Sequence, residues 1–392
     1  MLARRAHVAL NAQLLFGGAS YRSAGIHQYI ANLLRHLPAA DPGFEFTAFV
    51  GAGAPELPGI TARRTRLPTH QPWVRILWEQ LLQPLALARA RPDLYHALAF
   101  VSPLLNPCPA VVTVYDLSFR LMPEKFPPAQ RLYLNTFTAH SVRRARRVIA
   151  ISESTRADVV RRLGVPAERV DVAYPGLGAA FRPLPRGEVD SFRARRGLPD
   201  KFVLYLGTLE PRKGLGTLIA ALPALRAKHP GLSLVLAGGK GWGYAGLFEQ
   251  VKTLGLEGAV QWPGYVPAEE LPWWYNAAAV FAYPSTYEGF GIPVAEALAC
   301  GRPVVTTSVS SLPEAAGDAA LLAPPGDADA LAEALDRALA LDPAHLARGP
   351  AHAARFTWAA TAAQTVACYR QALHLAPHTA REAVQPARQA PR

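Results

Sequence analysis

Short runs of β-branched and aliphatic residues recur along the chain, and between them apolar positions repeat at helical spacing. His7–Asn11 is the first such run. A glycine loop, Gly17-Gly18-Ala19-Ser20, follows it, and then IHQYIANLLRHL, in which Ile26, Ile30, Leu33, Leu34 and Leu37 share one helical face. Phe44–Val50, Leu94–Ala97, Val111–Tyr115, Val148–Ile151 and Val170–Ala173 read as further strands. The run VVTVY has no polar alternation, which suits a parallel strand buried on both faces. The pattern restarts at Phe202–Leu206, followed by a helix with Leu215, Leu218, Ile219 and Leu222 on one face. Strands are then expected at Leu232–Ala237, Val260–Gly264, Val280–Tyr283 and Pro303–Thr307, and helices at Leu271–Ala278 and Phe356–Leu375. Strand–helix alternation in both halves implies an α/β protein of two Rossmann-like, doubly wound domains facing each other across a cleft. The expected boundaries are an N-terminal domain over 1–175, a Pro/Gly-rich hinge and linker over 176–200, a C-terminal domain over 201–355, a last helix over 356–375 and a disordered tail over 376–392.

The stretch Tyr283–Gly301, YPSTYEGFGIPVAEALACG, concentrates the chemistry. Pro293 suits the first turn of a helix and Gly301 suits the position just past its end, so a helix is expected from Ile292 or Pro293 to Cys300. Glu288 then lies on the loop before the helix and Glu296 in or near its first turn. The N–H groups around Gly291 sit at the positive end of that helix, a seat for an anion such as a diphosphate. The flanking glycines let the backbone approach a ligand, and a neighbouring carboxylate accepts hydrogen bonds from vicinal hydroxyls. Diphosphate and hydroxyls together describe a nucleotide sugar. Two capping glutamates beside a buried helix are the plainer reading of the same residues.

Other loops at strand ends carry matching groups. Gly207–Gly214 (GTLEPRKG) brings Arg212 and Lys213 to the carboxyl end of a strand, where Arg binds phosphate oxygens bidentately and Lys adds a point charge. Asp116 ends VVTVY and either orients a hydroxyl or caps the next turn. Gly238–Gly243 (GGKGWG) has neither Walker A nor GxGxxG spacing and is read only as facing the cleft. Asp327-Ala-Asp329 mimics a metal-binding DxD, but it directly precedes LAEALDRAL and is better read as a helix cap. Metal ligands are therefore not expected.

Composition adds little chemistry and some geography. The 392 residues are half hydrophobic and 18% charged, as in a globular chain, with 41 Lys+Arg against 29 Asp+Glu, a net +12. That excess suits an anionic partner, although GC-rich coding also enriches Arg and Ala. Nucleic acid rests on charge alone and is set aside. Arg143, Arg144, Arg146 and Arg147 form either a solvated helix face or an anionic-lipid site. Pro72–Arg91 carries Trp73, Ile76, Leu77, Trp78, Leu81, Leu82 and Leu85 and is interrupted by Pro84; it is read more readily as a packed helix than as a membrane-interface helix. Three scattered cysteines give no disulfide or zinc framework. With no signal-like or spanning apolar run, a cytoplasmic protein is expected, and attachment at the inner face of the cell membrane is left open.

The Tyr283–Gly301 stretch resembles the signature of the retaining family 4 glycosyltransferases, which have the GT-B fold, and the resemblance extends to about Leu375. It implies that Glu288 lies near the donor sugar, that Glu296 binds the donor ribose and that Arg212 and Lys213 bind the diphosphate. Tyr265-Val266 falls where the family binds the base. Gly25 falls on the family's glycine loop near the donor phosphates and acceptor, although a plain helix cap explains it as well. The implied catalytic set is Arg212, Lys213, Glu288 and Asp116. The donor-binding set is Glu296, Gly25, Phe290, Gly291, Ile292, Val266 and Gly207. The family's last helix crosses back to the N-terminal domain. This chain has Tyr115-Asp116 where members often have His-Asp, which puts a histidine role in doubt, and Thr208 where some carry another arginine.

The resemblance further implies no cofactor or metal beyond the nucleotide-sugar donor. GTLEPRKG, AGGKGW and SSLPEAAGDAALL are most similar to mannosyl- and rhamnosyltransferases of polysaccharide assembly. They point to GDP-mannose and to a lipid-linked or oligosaccharide acceptor. The alternatives are a UDP- or dTDP-sugar donor, a UDP-sugar 2-epimerase of the same fold, and a non-catalytic sugar- or lipid-binding subunit. A phosphorylase-like enzyme has no support.

Overall fold

A computed structural model of the chain describes residues 4–15 and 24–376. The glycine loop Gly17–Ser20 and the tail beyond 376 lie outside the described residues. The N-terminal sheet contains β1 (Ala6–Asn11), β2 (Phe44–Val50), β3 (Thr61–Arg64), β4 (Leu94–Ala97), β5 (Ala110–Val114), β6 (Arg147–Ala150) and β7 (Val170–Val172). The C-terminal sheet contains β8 (Phe202–Leu206), β9 (Ser233–Ala237), β10 (Val260–Gly264), β11 (Val280–Tyr283), β12 (Val304–Thr307) and β13 (Leu321–Ala323). All pairings are parallel, in the orders β3-β2-β1-β4-β5-β6-β7 and β10-β9-β8-β11-β12-β13. The central strands β5, β8 and β11 are buried along their whole length, as continuous apolar runs require. In each sheet the order reverses beside the first strand, between β1 and β4 and between β8 and β11. Crevices for ligands open beyond the carboxyl ends of those strands.

Two stretches differ from the expectation. Pro72–Arg91 contains helix Pro72–Leu77, a wider π-type turn over Trp78–Leu82 and helix Gln83–Ala90. The Gln83 N–H reaches back five residues to the Trp78 carbonyl. The next residue, Pro84, has no N–H to continue the ladder. More importantly, Trp73, Leu77, Leu81 and Leu85 are solvent-exposed, so the packed-helix reading of that face is corrected. Within 176–200, Arg186–Arg196 is a helix. It buries Val189 and Phe192, and the Phe192 ring lies 6.0 Å from Trp273 and 5.8 Å from Trp274.

The last helix, Trp358–Ala372, packs on helix Ala24–Ala40 and on the N-terminal sheet. Its Tyr369 hydroxyl is 2.7 Å from the buried His96 ring, and its Arg370 pairs at 2.6 Å with buried Asp41. The chain thus passes between the two units twice. The two passages run side by side, with the Leu177 N–H donating to the Phe356 carbonyl at 2.9 Å. Among the described residues, no helix is long and apolar enough to cross a membrane.

Candidate active site

The loops after β8 and β11 fold against each other. The Thr286 N–H and hydroxyl both donate to the Arg212 carbonyl, at 2.9 and 3.1 Å. This brings Arg212, Lys213 and Glu288 together. Lys213 Nζ donates to Glu288 Oε1 at 2.6 Å and to Tyr283 Oη at 2.9 Å. Arg212 Nη1 lies 3.1 Å from Glu288 Oε2 and donates to the Tyr287 carbonyl at 2.8 Å, while Nη2 lies 2.9 Å from Glu210 Oε1. Burial alone would raise the Glu288 carboxyl, but the Lys213 and Arg212 charges outweigh it and hold the group at about 2. The backbone of Glu288 is fixed as well: its N–H donates to Ser310 Oγ, and its carbonyl accepts from Ser311 Oγ, both at 2.9 Å.

The helix of the signature stretch spans Ile292–Ala299. Gly291 precedes it with φ of 99°, a value that L side chains avoid, and Gly301 follows it. Gly291 and Ile292 stand at the positive end of this helix on the cleft wall. Glu296 sits just beyond the first turn. The Tyr275 hydroxyl donates to Glu296 Oε2 at 2.7 Å; burial raises the carboxyl to about 7, opposed by that hydrogen bond.

The cleft between the units has a volume of 1060 Å³. Its C-terminal wall holds Gly207, Glu210, Arg212, Lys213, Lys240, Trp242, Glu288, Phe290, Gly291, Ile292 and Glu296. Its N-terminal wall holds Gly25, His27, Tyr29, Arg75, Phe100, Asp116 and Gln130. An adjoining 480 Å³ pocket shares Gly207, Ile292 and Glu296 and contains Val266, Tyr265 and Leu271. Every sequence-derived candidate therefore lines one cavity or both.

Asp116 also caps its turn, its Oδ1 accepting from the Ser118 N–H at 2.8 Å and from Ser118 Oγ at 2.6 Å. A Cβ on Gly25 would meet nothing within 4 Å, so packing does not demand glycine there. Asp327 accepts from the Ala330 N–H at 2.9 Å as a helix cap. The arginine run is largely stapled down. Arg143 donates to the Leu163 carbonyl at 3.0 Å, Arg146 to the Ala372 carbonyl at 3.1 Å, and Arg147 pairs with both oxygens of Asp171 at 2.6 Å. The lipid-site reading of that run thereby loses three of its four charges to structural contacts.

Several partners were not legible in the sequence. Tyr275 lies on a helix whose apolar pattern looks like any core helix. Tyr287 donates to Asp158 Oδ2 at 3.1 Å and accepts from the Leu117 N–H at 3.2 Å, both in the N-terminal unit. Its carbonyl neighbour two residues on, Gly289, accepts from Ser152 Oγ at 2.6 Å. A Cβ on Gly289 would run into the Tyr115 carbonyl oxygen, so the residue must be glycine for the units to close. Glu314 accepts from the Glu153 and Ser154 N–H groups at 2.7 and 2.6 Å and so caps a helix of the opposite unit. The run of Ser and Thr at 152–155 next to the EGFG loop carried no sequence signal of this pairing.

Two family profiles match the chain in succession. One is described as Glycosyltransferase Family 4, over residues 23–180, and the other as Glycosyl transferases group 1, over residues 188–355. Escherichia coli O-antigen chain mannosyltransferase B is 32% identical over 372 residues, spanning 89% of this chain and 97% of that protein. The chain is a family 4 glycosyltransferase. Like others of its kind it is a hexosyltransferase with the GT-B fold. The E. coli serotype-specific mannosyltransferase WbdA is 29% identical over 315 residues, 72% of this glycosyltransferase but 37% of WbdA. The solved sucrose-phosphate synthase from Thermosynechococcus elongatus is similar with a TM-score of 0.69 and 26% identity, covering 94% of this chain and 99% of that one. As a glycosyltransferase the chain uses a nucleotide-sugar donor and an acceptor.

Proposed function

We propose that this glycosyltransferase moves mannose from GDP-mannose, with retention, to a hydroxyl of a lipid-linked or oligosaccharide acceptor during polysaccharide assembly at the inner membrane face. The similarity to O-antigen chain mannosyltransferase B along nearly the whole of both chains carries this reading. In it, the guanine base enters the pocket beside Val266 and Tyr265, Glu296 accepts from the ribose hydroxyls, and the diphosphate lies between Arg212, Lys213 and the amides at Gly291 and Ile292. The bond between the anomeric carbon and the phosphate oxygen breaks, and the leaving β-phosphate keeps the electron pair. The acceptor oxygen bonds to the same face of the sugar, and its proton passes to a leaving phosphate oxygen. That route needs no enzymic nucleophile. Arg212 and Lys213 supply the positive charge that the leaving group requires, so a bound metal ion is not required. Glu288 holds both cations in place and binds the sugar hydroxyls, and Asp116 orients the acceptor.

Thermal shift against GDP, UDP, dTDP and ADP, each with and without its common sugars, tests the donor. A strong shift with GDP and GDP-mannose alone is the expected result. A shift confined to UDP or dTDP compounds would replace the donor while keeping the chemistry. Free epimerised sugar formed without an acceptor, or donor binding without any turnover, would overturn the transfer reading.

A further inference from the structure

The segment Pro72–Ala90 presents Trp73, Leu77, Leu81 and Leu85 at four-residue spacing, and they are 63%, 50%, 62% and 54% exposed. In an uninterrupted α-helix such a row drifts around the axis. The π-type turn at Trp78–Leu82 takes back part of that drift and keeps the row on one side. Two neighbouring segments extend the row. The Leu104 N–H donates to Gln80 Oε1 at 3.0 Å, which brings the loop with Leu105, 79% exposed, against this segment. The Tyr133 hydroxyl reaches Glu79 Oε2 at 3.4 Å, which brings the start of helix Pro128–Arg144 with Leu132, 68% exposed, to the same place. One contiguous apolar face of Trp and Leu on a globular unit marks an interaction site.

The charges around it select the partner. Across 72–91, 101–109 and 128–147 the sole carboxylate is Glu79, and it is buried. Arg89, Arg91 and Arg131 are exposed beside the leucines. Apolar side chains flanked within these segments by cations and by no exposed carboxylate match the acyl boundary and headgroups of an anionic bilayer. The face also adjoins the acceptor side of the cleft, because Arg75, Gln130 and Leu134 line the cleft from these same segments. We propose that this face of the N-terminal unit seats the enzyme on an anionic lipid surface, with the cleft mouth held at the headgroup level. The proposal rests on the lipid-linked acceptor reading above and names the surface that serves it.

The test is flotation of the full chain with vesicles of phosphatidylcholine alone and with about one-third phosphatidylglycerol. Wild type is expected to float with the anionic vesicles. The triple variant Leu77→Ser, Leu81→Ser, Leu105→Ser changes only exposed side chains outside the cleft, and its affinity for those vesicles is expected to fall about tenfold or more. Arg89→Gln with Arg131→Gln is expected to weaken binding to the anionic vesicles, more so at low salt. Thermal shift with nucleoside diphosphates is read on the same proteins and is expected not to change. Nucleotide binding without vesicle binding would overturn this surface while leaving the transfer reading standing. Vesicle binding without nucleotide binding would support the surface and sink the transfer reading. Vesicle binding that survives the triple variant, or a wild-type dimer in light scattering that the variant dissociates, would also overturn it.

Discussion

Buried Glu288 and Lys213 form one ion-pair cluster with half-buried Arg212, so single substitutions in it should be costly. Glu288→Ala leaves two neighbouring cations without their shared counter-charge, and Lys213→Ala removes the donor that, in the proposed mechanism, meets the leaving phosphate. Each is expected to lower kcat by about a hundredfold or more in a donor-turnover assay, with the fold retained by circular dichroism. Near-normal kcat in either would contradict the assignment. The two glutamates titrate in opposite senses. Glu288 is held below its unfolded value, so its contribution to stability is present above about 4.5 and is lost as pH falls towards about 2. Glu296 is held above its unfolded value, so stability is fully present below about 4.5 and declines as pH rises to about 7. In the proposed donor site Glu296 accepts from the ribose hydroxyls, and only its ionised form offers both oxygens. Nucleotide affinity measured by calorimetry should therefore rise as pH is raised through about 7, and Glu296→Gln should flatten that rise. Charged residues on glycine loops at strand ends were legible in the sequence because few structural roles call for them there. The tyrosines that tune them, Tyr275 and Tyr283, were not, since a buried tyrosine in an apolar pattern looks like core.

Among the elements, the most consequential junction joins the loop bearing Glu288 to helix Glu153–Leu163 of the opposite unit. Tyr287, Gly289 and Glu314 all bond across it. Tyr287→Phe with Glu314→Gln should loosen this junction while leaving both cores intact. The expected outcome is a larger radius of gyration in small-angle scattering and a lower kcat, with nucleotide affinity nearly kept. Unchanged scattering would mean that other contacts hold the closed form. Strands were legible almost residue for residue, as at Phe202–Leu206 and Val280–Tyr283, because parallel strands buried on both faces must be unbroken apolar runs. Helix Arg186–Arg196 was not, since it buries just Val189 and Phe192 and follows a Pro/Gly-rich lead. The exposed leucine row was misread for a related reason: periodicity reports an apolar face and is silent on what covers it.

Over the whole molecule, the last helix ties the end of the described chain to its first sheet. His96 is buried without charge, and its ring nitrogens meet Tyr369 Oη at 2.7 Å and Thr113 Oγ1 at 2.8 Å. Tyr369→Phe would leave a buried ring nitrogen without its partner, at a cost of about 1 to 3 kcal/mol, readable as a lower Tm with no change in nucleotide affinity. A Tm equal to wild type would show that this contact contributes nothing. The alternation of strand and helix made the two units legible, but contacts between residues as far apart as Ser152 and Gly289 leave no periodic trace in either segment.

The side-by-side passage of Tyr174–Leu177 and Phe356–Trp358 has a mechanical consequence. A single tether would let the two units swing and twist freely. Two tethers pinned to each other by the Leu177 N–H to Phe356 carbonyl bond resist torsion and sliding more than a single strand does. Such a pairing favours a door-like opening of the mouth over twisting, which would bring Asp116 back to the same register against Glu288 and Lys213 at each closure.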